Sequence, residues 1–106
     1  MSQTISQLLT DLAQSGDREL VLMPGSPPLF IKKQAERPEG PELSREVCRD
    51  LILALLTDEQ RDELSSKKNV QATFGIKGLV RYQMRAKLEA GFVAGTIEII
   101  ERWYQG

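Results

Sequence analysis

The sequence predicts an α+β fold, an antiparallel sheet with its helices packed on one face. Three features predict it: an amphipathic helix at the start, two helices with clear capping residues in the middle, and alternating apolar and polar residues over the last third. Early helices and late strands bury their apolar faces by packing as two layers. Residues 1–106 are expected to form one domain with a single core.

The first element is predicted to be an amphipathic helix. Ser2 or Thr4 can cap its start, and Gly16 can end it in the left-handed conformation that glycine adopts without strain. Its apolar residues recur at the spacing of one helix face: Ile5, Leu8, Leu9, Leu12 and Ala13.

An extended region follows, and prolines interrupt it. Residues 19–23 form an apolar run typical of a buried strand, and residues 29–31 resume the pattern. Residues 24–28 break the strand, because proline supplies no backbone donor to a sheet. We expect this segment to be rigid and to protrude. Residues 34–42, rich in proline and glycine, are predicted to form a surface loop.

Two helices are predicted next. Ser44 can cap the first, whose apolar stripe runs to Leu56. Thr57 and Gln60 have the spacing of a capping box, followed by acidic residues in the first turn of a second helix. Leu64 is the only large apolar residue of that helix, so we expect the helix to lie mostly exposed.

The last third alternates with a period of two, as expected for strands with one buried and one solvent-facing side. A tight two-residue turn is predicted at Lys77-Gly78 and a slightly longer turn at Glu89-Ala90-Gly91, and a third strand from about Phe92 to Ile100. The result is a three-stranded antiparallel meander. Its first two strands bury Val70, Ala72, Phe74, Ile76, Val80, Tyr82, Met84, Ala86 and Leu88.

Composition argues against most enzymes and against nucleic-acid binding. The net charge of −1 supplies no basic cluster to neutralise phosphates, so no nucleic-acid partner is expected. The sequence contains no histidine, which removes the usual general base and most zinc sites. Cys48 lies in a predicted apolar stripe and is expected to be a buried structural thiol. We expect no catalytic residue, no metal and no cofactor, and we do not expect an enzyme.

The sequence carries no recognisable targeting signal. Its start lacks the basic region and apolar run of a signal peptide, and no stretch is long enough to cross a bilayer. The single cysteine fits a reducing compartment. We therefore expect a cytoplasmic protein without membrane insertion.

Two groups of residues are candidates for binding a protein partner. The proline segment could be an interaction loop or a plain turn. The solvent-facing side of the second meander strand could bind an acidic partner or be an ordinary wet face. Trp103 and Tyr104 are expected to cap the core rather than anchor a partner. The candidates are Pro24, Gly25, Ser26, Pro27 and Pro28 in the first group and Arg81, Gln83 and Arg85 in the second.

Four segments carry a family resemblance in their order and spacing. They are the opening helix, the strand before the proline segment, Leu55-Leu56-Thr57-Asp58-Glu59-Gln60-Arg61, and Gly78-Leu79-Val80-Arg81-Tyr82. Together they resemble the N-terminal domain of the hexameric ATPases that drive type IV pilus retraction, the PilT-like family. The resemblance covers nearly the whole chain. It implies a PAS-like α+β domain, which in that family packs against the ATPase domain of the neighbouring subunit.

The same resemblance reveals missing positive charges. In the family, arginines of the last strands help to hold the nucleotide at the subunit boundary, and only Arg81 of that set is clearly present here. Gln83 and Glu98 stand where arginines are expected, and a carboxylate repels phosphate at close range. The chain is therefore not expected to complete an ATP site in trans. It also lacks the P-loop pattern that holds phosphates.

The expected function is a non-catalytic interaction or regulatory module related to that N-terminal domain. Its expected partner is a pilus or secretion ATPase, or a second copy of the chain. One alternative is a PAS-like sensor with a small ligand between the meander and the second helix, and a pocket of several hundred cubic ångströms would favour it. The other alternative is a fragment of a full-length type IV pilus or type II secretion ATPase.

Overall fold

The computed structural model describes residues 4–76 and 80–102, which form three helices and six strands. The predictions for Ser2, for the Lys77-Gly78 turn and for Trp103 and Tyr104 lie outside the described residues. In chain order the elements are α1 (Ile5–Ser15), β1 (Glu19–Leu22), β2 (Leu29–Lys32), β3 (Ala35–Pro38), α2 (Arg45–Leu53), α3 (Asp58–Lys67), β4 (Asn69–Ile76), β5 (Val80–Glu89) and β6 (Phe92–Arg102).

The strands form one antiparallel sheet in the order β3-β2-β1-β6-β5-β4. The first three strands lie side by side in chain order, and so do the last three. The pairing of β1 with β6 joins these two halves at the centre of the sheet. The helices pack against one face. This confirms the predicted α+β fold, with an amphipathic helix before the sheet and a three-stranded meander at its end.

Helix α1 begins and ends where the sequence indicates. Thr4 Oγ1 accepts a hydrogen bond from the Gln7 amide at 3.1 Å, and Gly16 ends the helix with a φ of 83°. Leu8 and Leu12 are fully buried. Burying a leucine stabilises a fold by roughly 1.5 to 3 kcal/mol. An isolated helix this short is marginal in water, so its packing on the sheet keeps α1 helical.

The two central helices begin at their predicted caps. Ser44 Oγ accepts a hydrogen bond from the Val47 amide at 3.1 Å, and Thr57 and Gln60 form a complete capping box. Helix α2 is shorter than its apolar stripe suggested. It ends at Leu53, and Leu56 is buried from within the turn that leads to α3.

The capping box gives a testable contribution to stability. Replacing Thr57 by alanine is expected to lower the free energy of unfolding by about 1 kcal/mol, because the Gln60 amide loses its acceptor. Urea denaturation followed by circular dichroism measures the change. Thr10→Ala is the control, because the Thr10 hydroxyl donates back to the Ser6 carbonyl within α1 and lies inside the helix, not at its start. Equal losses in both variants would contradict the capping argument.

The meander has two features that simple alternation does not reveal. The β5–β6 turn contains only Ala90 and Gly91, both at positive φ, 51° and 81°. Farther along, the register shifts because Arg81 lies opposite Glu101 and Tyr82 opposite Ile99. The extra residue between them, Ile100, is 44% exposed. This β-bulge bends β6 and turns one large apolar side chain away from the core.

Residues 34–42 are not the simple loop that the sequence predicted. Ala35–Pro38 form β3, which pairs with β2 from Lys32 opposite Ala35 to Leu29 opposite Pro38. A proline can occupy this strand because β3 lies at the sheet edge, where one side needs no donor. The prediction was wrong because the four residues of β3 are exposed and carry no apolar pattern. Their strand conformation depends on pairing with β2, which the local sequence does not show.

The core lies between the helices and one face of the sheet. In β5 the buried residues alternate with solvent-facing ones and are Val80, Tyr82, Met84 and Ala86. The Tyr82 hydroxyl donates to the Leu9 carbonyl at 2.9 Å and so ties the sheet to α1. Gly95 allows α2 to approach β6 closely, since a Cβ there would stand 3.3 Å from Ile52 Cδ1.

Asp17 is buried just after α1 and connects the β2–β3 hairpin, at the edge of the sheet, to the end of that helix. Ser15 Oγ donates to its carboxylate at 2.6 Å, and Arg37 of β3 forms an ion pair with it. The Arg37 guanidinium also lies over the ring of Phe30, 4.8 Å from its centroid. Burial raises the pKa of Asp17, but the hydrogen bonds from Ser15 and Arg37 and the charges of Arg37 and Lys32 outweigh burial. The pKa is therefore lowered.

Candidate interaction surface on the open sheet face

The sheet face away from the helices is here called the open face. The strand register places one row of neighbouring side chains across five strands of it: Leu29, Val21, Thr96, Arg85 and Gln71. All of them are half-buried or exposed. The row changes from apolar at the β2 side to basic and polar at the β4 side, so the open face offers two kinds of contact next to each other.

A concavity of about 430 Å³ lies on this face. Val21 and Met23 line one side of it, Thr96 its middle, and Arg85 and Gln71 the other side. Met23 is 47% exposed, although it is a large apolar side chain. The concavity suits a protruding apolar group from a partner, because such a group would bury Met23 and contact Arg85 together.

Arg85 is the available cation of this surface. Arg81 pairs with Glu101 at 3.8 Å, and Lys87 pairs with Glu89 at 3.3 Å. No carboxylate among the described side chains lies within ion-pair distance of Arg85, which is exposed. A carboxylate on a partner could therefore bind Arg85 without displacing an existing ion pair.

The middle of the open face is acidic. Glu19 of β1 lies directly opposite Glu98 of β6, and Glu98 lies opposite Gln83 of β5. Neither carboxylate pairs with a cation among the described side chains. Like charges at opposite positions of neighbouring strands repel each other. A cation or donor on a partner would relieve that repulsion, so the acidic middle complements the basic side around Arg85.

The predicted strand residues are placed as expected, but the proline segment is not. Arg81, Gln83 and Arg85 share the open face, with Gln83 half-buried between the two arginines. Residues 24–28 do not protrude: Pro28 is buried, and only Gly25 is exposed. Backbone hydrogen bonds join Gly25 and Ser26 to Leu43, at 2.8 and 2.9 Å. Leu43 is itself part of the core, so this pairing holds the segment against the body of the domain.

The concavity lies next to both predicted groups of binding residues. Met23, which directly precedes the proline segment, lies on the same concavity as Arg85. Sequence reasoning missed Val21, Met23, Thr96 and Gln71 as surface residues. The signal was present for β1, because its apolar residues occupy both alternating positions and only one set can face the helices.

The cysteine of this chain has a structural role. The Cys48 thiol is buried beside the Val93 carbonyl, 3.3 Å away, and burial raises its pKa to about 11. A thiol with that pKa holds its proton at neutral pH and is a poor nucleophile. Among the described residues no three acidic or cysteine side chains are grouped to hold a metal ion.

None of the helices in the described ranges is long and apolar enough to cross a membrane.

Comparison with known proteins supports the fold through structure, not through sequence. No protein-family model matches the chain, and neither does any curated protein sequence. The similar solved structures include the pilus retraction motor PilT with bound ADP and the ATPase DotB of Legionella pneumophila. The TM-scores are 0.81 and 0.77, at 20% and 17% sequence identity, over 92% and 95% of this chain.

The fold resembles the N-terminal domain of these ATPases. This chain spans only 29% of the PilT chain and 30% of the DotB chain. The likeness confirms the predicted resemblance at the level of fold. On this PilT-like sheet, Arg81 is engaged with Glu101, while Gln83 and Glu98 are opposite each other where the family resemblance implied arginines.

Proposed function

We propose that this chain is a non-catalytic interaction module that docks through its open face on a hexameric pilus or secretion ATPase. One observation carries the proposal: a concavity on the open face with Val21 and Met23 on one side and Arg85 on the other, on a fold that resembles a domain of such ATPases. The module would regulate the ring by occupying a subunit boundary without hydrolysing nucleotide.

The side-chain chemistry supports a docking role over a catalytic one. Cys48 is protonated and buried, and the described residues offer no grouped metal ligands. Glu98, half-buried in the middle of the open face, would repel a triphosphate held there. A reduced, buried cysteine also fits the cytoplasm, where we propose that the module acts.

The concavity also indicates what the partner must offer. Met23 and Val21 form an apolar side that a partner can cover, and such anchors supply most of the affinity in protein interfaces. Arg85 then selects a carboxylate near that apolar group. The complementary surface on the ATPase would therefore combine a protruding apolar side chain with an acidic neighbour.

A charge reversal at Arg85 tests this proposal. Arg85→Glu is expected to weaken binding to a purified hexameric pilus retraction ATPase at least about tenfold, because it places a carboxylate against the partner's carboxylate. Biolayer interferometry with the chain immobilised, in the presence of ADP and then of a non-hydrolysable ATP analogue, measures the affinity. Arg49→Glu is the matched control, since Arg49 is 51% exposed on α2, away from the open face.

Three outcomes bear on the proposal. Loss of affinity in Arg85→Glu alone supports it. Equal affinity of both variants and the original chain would place docking elsewhere and overturn the role of the open face. No binding of the original chain in either nucleotide state would overturn docking on this class of ATPase.

A small-ligand sensor is the second candidate, and the size of the concavity favours it. About 430 Å³ is enough for a small organic anion with an apolar body. The site differs from the predicted one, because it lies on the open face and not between the meander and α2. Native mass spectrometry of the purified chain would detect a retained ligand, and its loss in Arg85→Glu would favour the sensor over the docking module.

A further inference from the structure

The two edges of the sheet differ sharply. The β3 edge is short and carries Glu36, Arg37 and Pro38, the features that keep an edge from pairing with another strand. The β4 edge has eight residues, Asn69–Ile76, without a charged side chain or a proline. Its pairing with β5 runs from Asn69 to Ile76 without a bulge. Among the described residues no strand pairs with the outer side of β4.

The register shows which backbone groups face outward. The Leu88 amide donates to the Lys68 carbonyl at 2.9 Å, so the even-numbered residues of β4 bond to β5. The odd-numbered residues then point their amides and carbonyls away from the sheet. Those residues are exposed and are Asn69, Gln71, Thr73 and Gly75. Among the described residues no strand pairs with these donors and acceptors, which lie along a strand about 27 Å long.

We propose that this edge pairs with the β4 edge of a second copy of the chain, in antiparallel orientation around a two-fold axis at Ala72. The two sheets would join into one, with all helices on the same face. About eight backbone hydrogen bonds would form, through Gln71 opposite Thr73 and Asn69 opposite Gly75 of the second copy. This inference concerns the chain alone and does not depend on the proposed ATPase partner.

The side chains of β4 are complementary to themselves in this register. On the helix side, Phe74 is only half-buried, although it stacks on Tyr82 with ring centroids 5.4 Å apart. Val70 of the second copy would lie opposite Phe74 and cover its exposed part. Ala72 would meet Ala72 at the axis, where a small side chain leaves room for the helices above. The polar Gln71 and Thr73 would pair on the open face.

The charges of α3 support the same two-fold arrangement. This helix packs against β4 and β5, so it is the helix nearest the β4 edge. Its first six residues include four carboxylates and one arginine, Arg61, and Lys67 and Lys68 follow at its C-terminal end. A two-fold axis makes the two α3 helices antiparallel, which places the acidic half of each beside the basic end of the other. The residues concerned are Asp58, Glu59, Asp62 and Glu63, and Lys67 and Lys68.

Sedimentation equilibrium of the full chain tests the pairing. We expect a reversible dimer with a dissociation constant on the order of 10 µM, because an edge-strand interface lies near the lower size limit of specific interfaces. Amide exchange followed by NMR locates the contact. The amides of Gln71, Thr73 and Gly75 should exchange freely in the monomer and at least about tenfold more slowly in the dimer.

Two variants and one control complete the experiment. Thr73→Pro removes an outward donor without removing a bond to β5, so it should abolish the dimer. If circular dichroism shows that this variant is unfolded, the double variant Gln71→Lys with Thr73→Lys replaces it, because it sets like charges opposite each other across the axis. Thr10→Lys adds a charge at an exposed position of α1 and should leave the dimer unchanged.

The results decide the proposal in either direction. A dimer that protects the three outward amides and is lost on changing β4 supports it. A chain that stays monomeric up to about 300 µM overturns it, since that exceeds the expected dissociation constant by more than tenfold. A dimer whose β4 amides still exchange freely, or that Thr10→Lys also disrupts, would place the interface elsewhere and equally overturn it.

Discussion

Replacing Ile97 by alanine is expected to lower the free energy of unfolding by about 3 kcal/mol. Ile97 is fully buried on β6, the strand that joins the two halves of the sheet. Its neighbours there are Leu20 of β1 and Met84 of β5, both also fully buried. Alanine would leave a cavity at this junction, and a packed core relaxes only in part to fill it. Urea denaturation gives the change in stability.

Ile100→Ala is the matched control, with the same chemistry on the same strand. Ile100 is 44% exposed and lies outside the register with β5, so its truncation should cost below about 0.5 kcal/mol. The ratio between the two losses tests the bulge as well as the core. Similar losses would show that Ile100 faces the core and that the bulge is absent.

Replacing Asp17 by asparagine is expected to lower the free energy of unfolding at pH 7 by about 1 to 2 kcal/mol. Asparagine keeps the shape but removes the charge that Arg37 and Ser15 bind. The carboxylate is buried, whereas the Arg37 side chain is 44% exposed, so solvent screens part of the attraction and limits the loss. The variant should also loosen β3, because the ion pair of Arg37 with Asp17 ties this strand to the segment that follows α1.

The stabilisation by Asp17 is expected to depend on pH in one direction. The pKa of Asp17 is lowered in the folded chain relative to about 3.9 for an unperturbed aspartate. Its stabilisation is therefore fully present above the unfolded value and is lost as the pH falls through the folded value. The original chain should lose this contribution below about pH 4, and Asp17→Asn should not.

Asp50→Asn separates this effect from a general change of charge. Asp50 is 70% exposed and pairs with Arg49 at 3.4 Å on the surface of α2. Its substitution should change stability by less than about 0.5 kcal/mol and leave the acid limb of the stability profile intact. A parallel acid limb in Asp17→Asn and the original chain would rule out Asp17 as its source.

The helices and the meander could be predicted because their signals are local. Thr4, Ser44 and Thr57 supply acceptors to amides three residues later, and this contact depends only on the chain within one turn. The alternation in β5 is equally local, since successive side chains of any strand point to opposite faces. The expected surface positions of Arg81, Gln83 and Arg85 followed from that alternation.

The errors fall where a contact is made between segments far apart in the chain. Strand β3 is held by β2 and by the ion pair of Arg37 with Asp17, 20 residues apart. The proline segment is held against the domain by backbone hydrogen bonds to Leu43, where the local pattern predicted a protruding segment. The bulge at Ile100 needs both β5 and β6 in place. None of these partners can be read from the local pattern.

By itself, the sequence determined where the three helices begin, where the meander lies and which side of the meander strands is apolar, because capping and alternation act over a few residues. The tertiary structure alone decided that Val21, Met23, Thr96, Arg85 and Gln71 share one concave face and that β4 is left at an edge. The reason is that neighbours in a sheet are fixed by strand order and register. Those depend on how all six strands bury their common face against the helices, and not on any one segment.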